Sequence, residues 1–534
     1  MANPRPPSME TLRTSLLKQI LRNLDWYDLQ SAMQVCRRWE KVAFWMQVPR
    51  LRLSIVPDIG PNVTEYQYDK LLRYHSTLME SRRRYRHITF FWGSWDGLHE
   101  PDRIKDILFL EIIRRFRRSL VSLTIVSDGY CMIPWVMSAI IRSCPWLKAL
   151  NLNGMVFNSL SFFHDWGFPT RIHTLEDANH VINCSPMAPD YFNNVTTLHV
   201  TLTIQNHLYD LFRKLSPQLI SLTLEWDPEQ YPTCVKWPRE YFPRLQTLVL
   251  KTMRAETGEQ LGHFLRRMPA LNSLTLSPHL TGDISVISWI SSINLWHLDV
   301  WPVFVSVPQV LLITRFQSLK SICIRGDYNM HNRLPDTARL PNTGCLALQG
   351  YTWQYVLDKL LMVFPNLVEL ELQTAENWKW KDARAINSLK SLNHLILHEG
   401  VQTLEKFMQF CEDLTVPSIC VVSKHYALNY DYLSREYIAC NIRKFSIHAL
   451  EINPCTCDHL IQSMPNLNTL ELTLQKPLDQ SIYQGICTRN PQCEINRHWY
   501  KPYRSILNLY EQSEGIHEMM SADLETPFPL SNLF

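Results

Sequence analysis

One six-residue pattern constrains this chain more than any other feature. LxxLxL appears as "LVSLTI" at 120–125, "LKALNL" at 147–152, "LISLTL" at 219–224, "LQTLVL" at 245–250, "LNSLTL" at 271–276, "LVELEL" at 367–372, "LNHLIL" at 392–397 and "LNTLEL" at 467–472. Weaker copies start at Val195, Leu295, Leu319 and Ile442, and the remaining gaps are close to twice the usual step. Three degenerate copies fill those gaps: "IHTLED" at 172, "TGCLAL" at 343 and "PSICVV" at 417. Fifteen copies therefore run from 120 to 467 at steps of 23 to 27 residues. A period near 25 held for this long is the mark of a stacked array. "YRHITF" at 85–90 reads as an opening repeat and "QCEINR" at 492 as a closing one.

Between the copies lie helical segments, among them "EQLGHFLRRMP" (259–269), "WQYVLDKLLMVFP" (353–365), "LEKFMQFCE" (404–412) and "CDHLIQSMP" (457–465). Many end in Pro just before the next strand, as in "CPWL", "FPNL" and "MPNL", where Pro stops a helix. Each unit is a strand and a helix, and neither can bury its Leu row alone, so neighbours must stack. The expected fold class is an α/β repeat solenoid. The units resemble the leucine-rich repeat family in its degenerate, helix-bearing form, over residues 85–498, and the resemblance implies a horseshoe. The Asn ladder that the family has after the strand is largely missing.

The first tenth of the chain is different. Leu12, Leu16, Leu17, Ile20, Leu21 and Leu24 make a helical stripe, Asp25 is placed to cap a short second helix, and "MQVCRRWEKVAFWM" (33–46) reads as a third helix with a broad apolar face. Three short helices in so few residues bury too little surface to be robust alone, so a partner surface is expected. Leu12, "LLKQIL" at 16–21, Leu24, Leu29, "VCRRW" at 35–39 and "FW" at 44–45 resemble the F-box family over residues 9–48, with Arg13 where that family has Pro.

Together the resemblances imply the substrate-recognition subunit of an SCF-type ubiquitin ligase. The F-box would dock on a Skp adaptor, and so on the cullin scaffold, through Leu12, Leu16, Ile20, Leu24, Val35, Cys36 and Trp39, while the array holds a target protein. Some of those residues must instead form the bundle core. A repeat scaffold whose F-box-like cap recruits no ligase is the competing reading. The expected division is 1–8 without order, 9–48 F-box, 49–84 an elbow followed by a helix, 85–498 solenoid, and 499–534 a cap or disordered tail.

In LxxLxL the three apolar positions face the core, so the residues between and just after them line the open face of the sheet. They supply the candidate target-binding residues Glu225, Trp226, His297, Asp299, Trp301, Arg325, Glu369 and Glu371. Most are polar, as expected of a solvated face, and the two tryptophans are candidate anchors for a partner peptide. Arginines at 82–84 and 86, with Arg114, Arg115, Arg117 and Arg118 one repeat later, make a basic run suited to phosphate or to an acidic segment.

No P-loop, dinucleotide-binding Gly motif, HExxH or nucleophile elbow occurs. Cys455, Cys457 and His459 are the only tight group of soft ligands, without the second pair a zinc site needs. A non-catalytic protein with no metal or cofactor is expected. The formal net charge of +3 over 534 residues gives no bulk attraction to nucleic acid or membrane. The 14 cysteines sit mostly in apolar runs, as reduced thiols do. With no stretch of signal or membrane-spanning character, a cytoplasmic or nuclear location is expected.

Overall fold

The computed structural model describes residues 13–22, 32, 35–47, 52–55, 72–73, 75–81, 84–92, 103–127, 139–140, 142–153, 172–176, 194–202, 207–226, 237–251, 258–276, 287–288, 290, 294–301, 304–328, 334–335, 337–350, 357–373, 380–398, 404–423, 437–474 and 478–499. The chain divides into two compact units, residues 1–271 with 289–292, and residues 272–288 with 293–534.

The first unit opens with the helices Thr14–Leu21 and Arg37–Gln47. Leu17 and Leu21 of the first pack with Ala32, Trp39, Val42 and Ala43 in one buried cluster, with Cys36 against its side. Then come eight strands: β1 (Arg52–Ile55), β2 (His87–Trp92), β3 (Ser122–Ser127), β4 (Ala149–Asn153), β5 (Thr174–Glu176), β6 (Thr197–Leu202), β7 (Ser221–Trp226) and β8 (Thr247–Lys251). Each pairs in parallel with the next. The sheet thus starts at Arg52, inside the stretch expected to be an elbow. The short "RLSI" segment lacks a full LxxLxL copy, yet Ile55 takes a buried core position. Behind the strands, helices Arg103–Phe116, His207–Leu215 and Gly258–Leu265 carry the aromatic part of the core. Phe242 bridges Phe212 and Phe264 with ring centroids 6.4 and 5.9 Å away, both edge-on, a geometry that suits the ring quadrupole.

The second unit holds β9 (Ser273–Leu276), β10 (His297–Val300), β11 (Phe304–Val305), β12 (Ser321–Arg325), β13 (Asp327–Tyr328), β14 (Cys345–Gln349), β15 (Glu369–Gln373), β16 (His394–His398), β17 (Ser418–Ser423), β18 (Lys444–Ala449), β19 (Thr469–Leu474) and β20 (Glu494–Trp499). Apart from the small parallel pair β11–β13, these form a continuous parallel row with every apolar position in phase. Leu298, Ile322, Leu346, Leu370, Leu395, Ile419, Phe445, Leu470 and Ile495 are successive register mates, all buried. Each such side chain contributes about 1.5–3 kcal/mol on burial, and each needs the next repeat to be buried. In both units the fold is a leucine-rich-repeat-like solenoid. The degenerate copies at 172, 343 and 417 are the strands β5, β14 and β17. Ser418 pairs with His394, so that last copy starts at Val416 rather than Pro417.

Proline has a second task beyond stopping helices. The carbonyls of Cys144, Met268 and Met464 each accept the N–H of the Leu three residues on, at 3.1, 3.2 and 2.9 Å. This places Pro second in a β-turn that delivers the chain to its strand.

Asparagines form a row ahead of the strands. Asn342 Nδ2 donates to Gln317 O (2.8 Å), Asn366 to Pro341 O (3.0 Å), Asn441 to Leu414 O (2.9 Å) and Asn466 to Cys440 O (2.7 Å). Each bond satisfies a carbonyl one repeat back, which a turn of this kind otherwise leaves to solvent.

Candidate functional site

The helical pair sorts its own apolar residues. Residues 17 and 21 lie one turn apart on the buried face of the first helix, and residues 16 and 20 lie beside them on the outer face. Leu16 is 48% exposed and Ile20 38%, and Val35 just ahead of the second helix is 63% exposed. Trp39 belongs to the buried cluster with Leu21 and Ala43 and not to the outer face. Cys36 is intermediate. Leu12 and Leu24 lie outside the described residues. Three large apolar side chains thus stand outward beside a core that holds six buried residues among those described.

On the sheet of the second unit, four of the polar residues between and just after the core leucines are withdrawn from solvent, while His297 and Glu369 are half-buried. Asp299, Arg325, Glu371 and His398 are all buried. Arg325 donates from Nε to Asp299 Oδ1 at 3.1 Å and from Nη2 to Oδ2 at 3.0 Å. Its Nη1 reaches Gln349 Oε1 at 3.3 Å, and its guanidinium carbon lies 4.6 Å from the Trp301 ring centroid. Trp301, half-buried, thus makes a cation–π contact within the unit. Glu371 accepts a hydrogen bond from His398. The expectation of a solvated face fails at these four residues for a physical reason: each has a hydrogen-bonding partner on a neighbouring strand, an opposite charge in the case of Asp299 and Arg325, and that partner replaces water.

These pairs share one geometry. Asp299 is the register mate of Cys323, and its partner Arg325 lies two residues further on; Glu371 is the mate of Ile396, with its partner His398 again two further. Lys444 and Glu471, 2.8 Å apart, repeat the offset across β18 and β19. In the first unit His199 and Glu225, 3.3 Å apart, repeat it across β6 and β7. The right-handed twist of the strands favours one diagonal between neighbours.

The other candidates are local partners. His297 Nδ1 meets Ser321 Oγ at 3.2 Å, and His394 Nδ1 meets Ser418 Oγ at 2.9 Å. Burial holds both imidazoles below their ordinary range. Glu369 lies opposite His394 in register; burial and then the Glu371 charge push its carboxyl up. The His199 hydrogen bond holds Glu225 down. The Trp226 side chain lies outside the described residues. Cys455 is exposed while Cys457 is buried on the same helix, Pro454–Ser463, so they do not share a face. No group of three or more His, Cys, Asp or Glu placed to hold a metal ion occurs among the described residues. The diagonal pairs were beyond sequence reasoning, since their members are 26 or 27 residues apart; only the repeat length links them.

No helix among the described residues is long and apolar enough to cross a membrane. No family model matches the chain, and no curated protein does. Among solved structures it is similar to an internalin, InlF, of Listeria monocytogenes, at 12% identity and TM-score 0.26 over 69% of this chain and 83% of that one. It is similar to TLR13, solved in complex with ssRNA13, at 13% identity and TM-score 0.34 over 80% and 64%. It is also similar to the Toll–Spätzle complex of Drosophila, at 16% identity and TM-score 0.28 over 79% and 56%. The chain thus spans less than two thirds of the second and third of these, and the fold assignment stands on the strand register and repeat packing described above.

Proposed function

We propose that this leucine-rich-repeat-like scaffold is the substrate-recognition subunit of an SCF-type ubiquitin ligase, with the N-terminal helices docking on a Skp adaptor. One observation carries the proposal: Leu16, Ile20 and Val35 stand exposed above a core made by Leu17, Leu21, Ala32, Trp39, Val42 and Ala43. Such small bundles gain by covering outward apolar side chains with a partner. The role is positional rather than catalytic. A target held by the repeats is kept near the ubiquitin-loaded enzyme carried by the cullin, which raises the effective concentration of its lysines. The setting is cytoplasmic or nuclear, where buried free cysteines such as Cys411 and Cys457 stay reduced.

The test is co-expression of the full chain with a Skp adaptor. Wild type captures the adaptor, and Leu16→Asp with Ile20→Asp abolishes capture while leaving the circular dichroism melt unchanged, since both positions are exposed. A folded wild type that captures nothing sinks the ligase reading and leaves a scaffold with a structural cap.

A further inference from the structure

We propose that the edge at which the chain enters β2, β3 and β4 binds an extended acidic polypeptide segment. The backbone brings the basic residues of three repeats together there. Arg86 O accepts the N–H groups of Val121 and Ser122 at 2.7 and 3.1 Å, and Val121 O accepts those of Lys148 and Ala149 at 2.8 and 3.1 Å. Arg86 and Lys148 therefore lie on one row two strand spacings apart, about 10 Å. The turn carrying Arg117 and Arg118 is tied to the first repeat by Ser119, whose Oγ donates to Tyr85 O at 2.8 Å. Lys148 follows the turn bearing Trp146, closed by the Leu147 N–H to the Cys144 carbonyl at 3.1 Å.

Arg86, Arg117, Arg118 and Lys148 are all exposed, and none forms an ion pair among the described residues. The neighbouring Arg115 is spent on structure, donating to Met79 O at 3.2 Å and Ser81 O at 2.5 Å. The nearby Glu111 takes His75 at 2.7 Å. These four cations carry no carboxylate partner among the described residues, and Trp146, 52% exposed, stands at the end of the row. Arginine and tryptophan together are the composition of a protein-binding hot spot. A span of about 10 Å fits two or three carboxylates of an extended chain, which advances about 3.3 Å per residue. It offers few phosphate contacts to a nucleic acid, and a net charge of +3 adds no general attraction. This inference does not depend on the ligase reading.

Fluorescence anisotropy of the full chain tests it, with a short fluorescein-labelled peptide of Asp and Glu around one central Leu. Arg117→Glu with Arg118→Glu is expected to weaken binding at least about tenfold, the lysine pair Arg117→Lys with Arg118→Lys to stay within about threefold, and Trp146→Ala to weaken it several-fold. Raising salt from about 0.05 to 0.5 M weakens wild-type binding at least about tenfold, a measurement that needs no variant. Unchanged binding by the charge-reversed variant, no binding by wild type, or tighter binding of an oligouridylate of equal charge each overturns the proposal.

Discussion

Arg325 holds Asp299 by two parallel hydrogen bonds, 3.1 and 3.0 Å long, with both side chains buried and the guanidinium laid against Trp301. A fork of this kind is the strongest form of ion pair available to side chains. Its worth lies in what happens when it is broken. Asp299→Asn leaves a buried guanidinium without its counter-charge and is expected to cost about 3–5 kcal/mol, whereas Asp299→Leu with Arg325→Met is expected to be close to neutral. Chemical denaturation of the three chains decides it; a single variant as stable as the double one would show that the pair does not act as a unit.

Gly350 is a second strict requirement. Its φ is +139°, and a Cβ built there would lie 2.1 Å from the Gly326 carbonyl oxygen, itself part of a glycine at φ 146°. The two glycines let neighbouring repeats close on each other just after β12 and β14. Gly350→Ala must open that contact and is expected to cost about 2 kcal/mol or more, combining strain with lost packing. Gly344→Ala meets nothing within 4 Å and is expected to change stability by less than about 0.5 kcal/mol. Thermal melts of the two variants side by side give the comparison.

The asparagines ahead of the strands each close one carbonyl of the previous repeat. Asn366→Ala and Asn466→Ala are each expected to cost about 1 kcal/mol. Four strand spacings, about 19 Å, separate them, so their effects should add. Urea unfolding of the two single variants and the double one measures this, and a double variant no weaker than either single one would refute the ladder's role.

The buried histidines set a pH limit. Burial, aided by Arg325 and opposed by Asp299, lowers the His297 pKa from 6.5; burial, aided by Lys444 and opposed by Glu471 and Glu371, lowers that of His394. The unfolded chain therefore takes up these protons first. The stabilisation is complete above about pH 6.5 and is lost as pH falls toward the lowered folded-state values. The melting temperature is expected to drop between about pH 7 and 5, and less so in His297→Gln with His394→Gln, which keeps a partner for Ser321 and Ser418. Parallel pH profiles in the two chains would rule out these imidazoles as the cause.

The sequence by itself determined the repeat and therefore the fold. A Leu row recurring every 23 to 27 residues can be buried only by a stacked neighbour, so even the degenerate copies "IHTLED" and "TGCLAL" had to become strands. The same logic anticipated helices between them. It did not say that "RLSI" at 52–55 begins the sheet, because one short strand carries no period. Nor could it sort Leu16, Ile20 and Val35, left outside, from Trp39, drawn in, since an amphipathic stripe shows which residues are apolar but not where the neighbouring helix lies. The tertiary structure alone decided the charged rows. Asp299, Arg325, Glu371 and His398 are polar in any sequence reading and were expected in water; parallel register puts Arg325 and His398 on the next strand from Asp299 and Glu371, two residues past the register mates of those carboxylates, and pairing replaces the solvent they would otherwise require.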